Sequence, residues 1–238
     1  MKKIKSIGIL GGMGPEATLH LFNLIIKNTP ASKDQDHIPV IIHNNPLIPD
    51  RTLHIVYNEE SPLSLLIEGA QQLERAGADM ILIACNTAHY YIKEIEPHIS
   101  TPVLDMIALT SQYISGKRDA NISGRIKAGI LATTGTINTS LYQRSLLEHN
   151  IEPLIPTPQE QQELVMEAVY GKKGIKAGYK RVPKQLIIKA AKLLIERGAD
   201  VIIAGCTEIP IVLRGSDIEA ELVNSMDVLA KEAIKRAK

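Results

Sequence analysis

Short runs rich in Val, Ile and Leu alternate with longer stretches of helical spacing along the whole chain. The runs over residues 6–10, 40–44, 80–84, 103–105, 126–132, 152–155, 201–205 and 221–223 predict strands. Several are apolar throughout rather than alternating, as expected of parallel strands covered on both faces. Residues 17–27, 62–75, 138–149, 159–170 and 183–197 place apolar side chains three and four positions apart and predict helices. Strand alternating with helix predicts an α/β chain with mostly parallel sheets.

The chain also resembles itself. Gly8-Ile9-Leu10-Gly11-Gly12-Met13-Gly14 aligns with Gly129-Ile130-Leu131-Ala132-Thr133-Thr134-Gly135. Gly77-Ala78-Asp79-Met80-Ile81-Leu82-Ile83-Ala84-Cys85 aligns with Gly198-Ala199-Asp200-Val201-Ile202-Ile203-Ala204-Gly205-Cys206 at the same offset of 121 residues. "Gly-Ala-Asp then strand" is a common way into a parallel strand, but two matches at one offset predict two homologous α/β halves related by a pseudo-twofold axis. Ligands of open α/β sheets bind beyond the carboxyl ends of the strands. Cys85 and Cys206 are therefore expected to approach one cleft from opposite sides.

Composition narrows the field of partners. The 238 residues are 45% hydrophobic, enough for a sizeable core, and 27 Lys plus Arg nearly balance 26 Asp plus Glu. The charge balance, the absence of a long basic run and the presence of only seven Tyr, one Phe and no Trp argue against a nucleic-acid or membrane-surface partner. No apolar run is long enough to span a bilayer, and Met1-Lys2-Lys3-Ile4-Lys5 leads into a strand rather than a signal sequence. Two cysteines make no disulfide framework, so a reducing cytoplasm is the expected location. The expected partner is a small molecule.

The cysteines carry the candidate chemistry. A free Cys is usually a buried, inert hydrophobe. Each of these follows a buried strand and precedes polar residues, Asn86-Thr87 and Thr207-Glu208. Two thiols on opposite sides of a substrate suit removal of a proton from one face of a carbon and its return to the other. One must be thiolate while the other is thiol, so the site is expected to lower a Cys pKa that ordinarily leaves only about 3% thiolate at pH 7.

The segment Gly12-x-Gly14-x-x-Ala17 nearly matches a dinucleotide fingerprint, but the second strand ends His43-Asn44-Asn45 without the acidic residue that would hold a ribose. The other readings are a tight turn into a helix with Pro15 at its first position, its N–H groups facing an anion, and a purely structural turn. Thr133-Thr134-Gly135-Thr136 is its partner in the second half. The proline-braced loop Asn45-Pro46-Leu47-Ile48-Pro49-Asp50-Arg51-Thr52 delivers Arg51 either to the cleft mouth, to grip a carboxylate bidentately, or simply to solvent. Cys85 and His89 have i, i+4 spacing, yet no second Cys/His cluster supplies further ligands, which argues against zinc; His89 is expected to orient a group or cap a helix. No Gly-x-x-x-x-Gly-Lys-[Ser/Thr] loop and no Gly-x-Ser-x-Gly elbow is present. A dinucleotide-dependent oxidoreductase and a non-catalytic acidic amino-acid binding protein remain as readings from other classes.

Taken in order, Gly11-Gly12-Met13-Gly14-Pro15-Glu16-Ala17-Thr18, Asn45-Pro46 with Ile48-Pro49-Asp50-Arg51-Thr52, Cys85-Asn86-Thr87-Ala88-His89, Thr134-Gly135-Thr136 and Gly205-Cys206-Thr207-Glu208 resemble the aspartate/glutamate racemase family, in its aspartate racemase branch. The Asp-Ser-Gly type motif that opens glutamate racemases is absent, and the related arylmalonate decarboxylases use one cysteine. The resemblance implies pyridoxal-independent racemisation of aspartate, with glutamate, broad-specificity and maleate-isomerase relatives close by. It implies Cys85 and Cys206 as the acid/base pair and no cofactor. Met13, Asn86, Thr87, Thr134 and Thr207 would bind the α-carboxylate side, with Gly14, Asn45, Gly135, Thr136 and Glu208 in the same substrate-binding motifs. Arg51 and Lys176 would take the distal carboxylate, Lys172 and Lys173 lying close to the latter. The resemblance further implies a homodimer. The domains expected are residues 1–115, with a final helix at about 215–238 packing back onto them, and 116–214.

Overall fold

In the computed structural model, residues 4–117 and 125–238 are described. Residues 1–3, part of the N-terminal stretch read as lacking a leader, and residues 118–124, within the second domain as delimited above, lie outside them. The chain divides into two compact units, Met1–Met106 with Met226–Lys238, and Ile107–Ser225.

The first unit runs β1 (Ile7–Gly11), α1 (Pro15–Asn28), β2 (Val40–Asn44), α2 (Arg51–Tyr57), α3 (Leu63–Arg75), β3 (Met80–Ile83), a 3-10 turn (Thr87–Tyr91), α4 (Ile92–Ile95), β4 (Val103–Leu104) and the start of α5 (Met106–Gly116). The second runs β5 (Lys127–Leu131), α6 (Thr134–Asn138), α7 (Leu141–Glu148), β6 (Glu152–Leu154), α8 (Pro158–Glu160), a π-helical stretch (Gln161–Met166), α9 (Glu167–Tyr170), α10 (Arg181–Glu196), β7 (Val201–Ala204), α11 (Ile209–Val212) and β8 (Glu221–Asn224). The last helix, α12 (Ser225–Ala237), belongs to the first unit. There the Lys5 N–H donates to the Ala237 carbonyl at 2.9 Å and the Asn28 amide to Asp227 at 2.8 Å.

Each unit holds one four-stranded sheet, in the orders β2-β1-β3-β4 and β6-β5-β7-β8, with every pairing parallel. The apolar runs become β1, β3, β5 and β7, the two inner strands of each sheet, because helices cover both faces there. Pro153 is tolerated in β6, an edge strand, where it withholds no ladder donor the sheet needs.

The 121-residue offset is physical. Gly77 and Gly198 share a left-handed backbone, φ 89° and 92°, and turn α3 and α10 into β3 and β7. Ala78 N–H then donates to the Leu73 carbonyl, and Ala199 N–H to that of Leu194. One step on, the Asp79 carboxylate accepts the Ser6 N–H at 2.7 Å, and Asp200 accepts the Lys127 N–H at 2.7 Å. "Gly-Ala-Asp" is thus a device that ends a helix, starts a strand and pins the start of the neighbouring strand. It is used once in each unit.

Candidate active site

Every sequence-derived candidate in the first unit sits at the carboxyl edge of its sheet, after β1, β2 or β3, which are neighbours there. After β1, Gly12 has φ +98°, and a Cβ on it would lie 2.2 Å from the Asn45 carbonyl oxygen. Its N–H donates to Thr18 Oγ1 at 2.9 Å, and the Thr18 hydroxyl donates in turn to the Gly14 carbonyl at 3.0 Å. The Gly12 N–H is therefore spent inside the turn rather than offered to a pyrophosphate or other anion. Gly14 caps α1 and Pro15 stands at its start, as the turn reading expects. Gly12→Ala should cost at least ~1–3 kcal/mol from the backbone alone, with the collision against Asn45 added. Denaturant unfolding checks it; wild-type stability would contradict the close approach.

After β2, the loop is shorter than expected from the sequence. It ends at Asp50, whose carboxylate accepts the N–H groups of Thr52 and Leu53 and so starts α2 at Arg51. Asn45 Oδ1 accepts the Leu47 N–H at 3.0 Å, bracing the turn before it. Arg51 is not a solvated arginine: it is 5% exposed. Its guanidinium donates to the carbonyls of Ile48 (3.2 Å), Pro49 (2.9 Å) and Met13 (3.2 Å), tying the loop after β2 to the loop after β1.

After β3, Cys85 is 5% exposed and packs in one apolar cluster with Met13, Ile48 and Ala88. Asn86 and Thr87 follow, both buried, at the head of the 3-10 turn. His89 Nδ1 lies 2.8 Å from the Cys85 carbonyl; a carbonyl only accepts, so Nδ1 carries the hydrogen. Burial lowers the His89 pKa and the Asp105 charge works against this. The ring is then a neutral prop for the peptide of Cys85.

The second unit repeats the plan with different side chains. After β5, Thr133 caps α6 by accepting the Thr136 N–H, and the two hydroxyls lie 3.2 Å apart, so Thr136 is built into the cap beside Gly135. Thr134 is held from the π-helical stretch. Its N–H donates to Met166 Sδ at 3.3 Å, and its hydroxyl oxygen accepts from Gln161 Nε2, which also donates to the Ala132 carbonyl at 2.9 Å. Gln161 and Met166 were missed in the sequence. The available signal was a glutamine on the apolar stripe it shares with Leu164, Val165 and Ala168, all buried.

After β7, Cys206 is 4% exposed. Its Sγ–H donates to Glu208 Oε2 at 2.9 Å, the Thr207 hydroxyl donates to the same oxygen at 3.1 Å, and Lys176 Nζ pairs with Oε1 at 2.9 Å. Burial pushes the Cys206 thiol well above its ordinary value, the Glu208 charge and hydrogen bond add to the rise, and Lys176 opposes it. At Cys206 the nearest charge is negative, so of the two expected states, thiolate and thiol, its surroundings favour the thiol. Burial alone would raise Glu208; the Lys176 charge and the hydrogen bonds from Cys206, Lys176 and Thr207 outweigh it and hold the carboxylate ionised. Lys176 is placed by its own loop, where the Ile175 and Lys176 N–H groups bond back to Ala168 and Val169. Lys172 and Lys173 are exposed on that loop. Among the described residues, no group of three or more His, Cys, Asp or Glu is arranged to hold a metal ion. Nor is any helix there long and apolar enough to cross a membrane.

Two parallel sheets of this order, each with a buried cysteine after its third strand in sequence, point to one family. Residues 10–233 match the model of the Asp/Glu/Hydantoin racemase family, and the chain belongs to that family. It is 30% identical to the broad-specificity amino-acid racemase RacX of Bacillus subtilis (strain 168) over 234 residues, 96% of each chain. Aspartate racemase of Picrophilus torridus superposes with a TM-score of 0.81 at 30% identity, covering 98% of this chain and 94% of that one. An aspartate racemase homologue from Pyrococcus horikoshii OT3 gives 0.75 at 26% identity, covering 100% and 99%.

Proposed function

We propose that the chain is a cofactor-independent racemase of acidic amino acids, with aspartate the preferred substrate, in which Cys85 and Cys206 act on one α-carbon. The observation that carries this reading is the equivalence of the two cysteines. Each is buried after a strand at the same 121-residue offset, and each is followed by polar residues, in a chain of the racemase family. A thiolate at one cysteine takes the α-proton while the thiol at the other gives its proton to the opposite face. One C–H bond breaks and one forms, and the two sulfurs exchange protonation states. Carbanion charge must be stabilised by donors fixed around the α-carboxylate, each typically worth ~10²–10³ in rate. Asn86, Thr87, Thr134 and Thr207 are the side chains we assign to it, and Met13, Gly14, Asn45 and Gly135 are assigned to the substrate with them. Arg51 is assigned to the distal carboxylate, and Lys176 is shared between that carboxylate and Glu208.

The test is incubation with L-aspartate and L-glutamate in D₂O without added cofactor, following α-deuteration by NMR together with optical rotation. Deuterium gain with loss of rotation is expected; binding without exchange would make this a binding protein. The relation to RacX supports a second reading, a broad-specificity racemase, which the same assay over a panel of neutral and basic amino acids separates. We propose a homodimer as the working form, and a monomer mass in sedimentation would remove that part.

A further inference from the structure

We propose that Glu208, anchored by Lys176, is a positioning residue that keeps Cys206 as an oriented thiol, so that Cys206 enters turnover as the proton donor. The inference rests on the reading of Cys206 as an acid/base residue, but it takes Glu208 away from the substrate and gives it a task carried out through sulfur. Three donors converge on one buried carboxylate: the Cys206 thiol and Thr207 hydroxyl on Oε2, and the Lys176 ammonium on Oε1. A carboxylate that accepts from all three is ionised, and an ionised carboxylate 2.9 Å from sulfur opposes a second negative charge there. Among the described residues, the charges that act on Cys206 come from Glu208, at the start of α11, and Lys176, from the loop after α9, with the Tyr170 ring 5.3 Å from Nζ.

The consequence is an asymmetry between the cysteines. When Cys206 gives its S–H proton to the α-carbon, that proton first turns away from Glu208 Oε2, and the thiolate formed stands beside Glu208 while Cys85 holds the proton taken from the substrate. Glu208 raises the energy of that state, so Cys206 rests as the thiol.

Cys85→Ala leaves Cys206 as the single thiol of the chain, so the pH profile of its alkylation by iodoacetamide reports on Cys206 alone. In that background Glu208→Gln, which keeps the shape and removes the charge, should move the midpoint down by at least about one unit, a tenfold gain in thiolate at neutral pH. Lys176→Met, which leaves the Glu208 charge uncompensated, should move it up. A change in packing or access scales the rate at every pH and leaves the midpoint in place. A midpoint unmoved or raised in Glu208→Gln overturns the proposal. If that variant does not fold, an unmoved or lowered midpoint in Lys176→Met does so. The readout needs no turnover, so failure here is distinct from failure of the racemase reading, which α-deuteration by the unmodified chain decides.

Discussion

Replacing either Cys85 or Cys206 by alanine is expected to cut racemisation by at least the ~10²–10⁴ assigned to a positioned acid or base. The two losses should be of similar size although the surroundings differ, because each direction of the reaction needs one thiol to take a proton and the other to give one. The double variant should be hardly worse than either single, since groups that act as one unit lose most of their effect when one member is removed. Folding should survive: each cysteine is buried, but alanine removes one sulfur from clusters dominated by aliphatic side chains. Circular dichroism and thermal unfolding check that, and polarimetry with chiral chromatography of the product checks the activity. Near-normal racemisation by Cys206→Ala would end the two-thiol mechanism and return Cys206 to the core.

The second large effect is expected at Arg51. Arg51→Ala should weaken aspartate binding by more than 2 kcal/mol, within the roughly 2–5 typical of breaking a desolvated charge pair. The structure adds a cost in stability, because the same guanidinium donates to the carbonyls of Ile48, Pro49 and Met13. Hydrogen bonds from a charged group are worth about 1.5–3 kcal/mol each, and their loss loosens the loops after β1 and β2 together. Arg51→Lys separates the two contributions. It keeps the cation but not the planar fork, so part of the affinity should remain while the loop is less well held. Calorimetric titration with succinate beside thermal unfolding reads both. A folded Arg51→Ala protein with unchanged affinity would leave Arg51 a purely structural brace.

Much of the architecture was legible along the chain. Apolar runs such as residues 80–84 and 201–205, short and entered through Gly-Ala-Asp, read as strands buried on both faces. The repeated Gly-Ala-Asp marks a local device whose hydrogen bonds lie within a few residues or one strand away. Both signals are local, so sequence spacing carries them. Helix α2 was hidden because its start depends on the Asp50 cap inside a proline-rich stretch, and α5 because Met106–Gly116 has little one-sided apolar spacing. The division between units at Met106 and Ile107, inside α5, and at Ser225 and Met226 depends on which contacts the helices make, and no composition change announces it.

Within the candidate site, the chain by itself determined which residue types end which strands: a glycine or threonine turn after β1 and β5, a cysteine after β3 and β7. The tertiary structure decided what those residues face. Arg51 is buried with the carbonyls of Met13, Ile48 and Pro49 converging on its guanidinium. Gly12 lost its N–H to a hydroxyl six residues on. Lys176, 32 positions from Glu208, reached it by the path of a loop pinned to α9, and so set the charge beside Cys206. Periodicity and spacing act over a few residues. Burial and electrostatics act through space, as between Lys176 and Glu208, 32 residues apart along the chain and 2.9 Å apart in the fold.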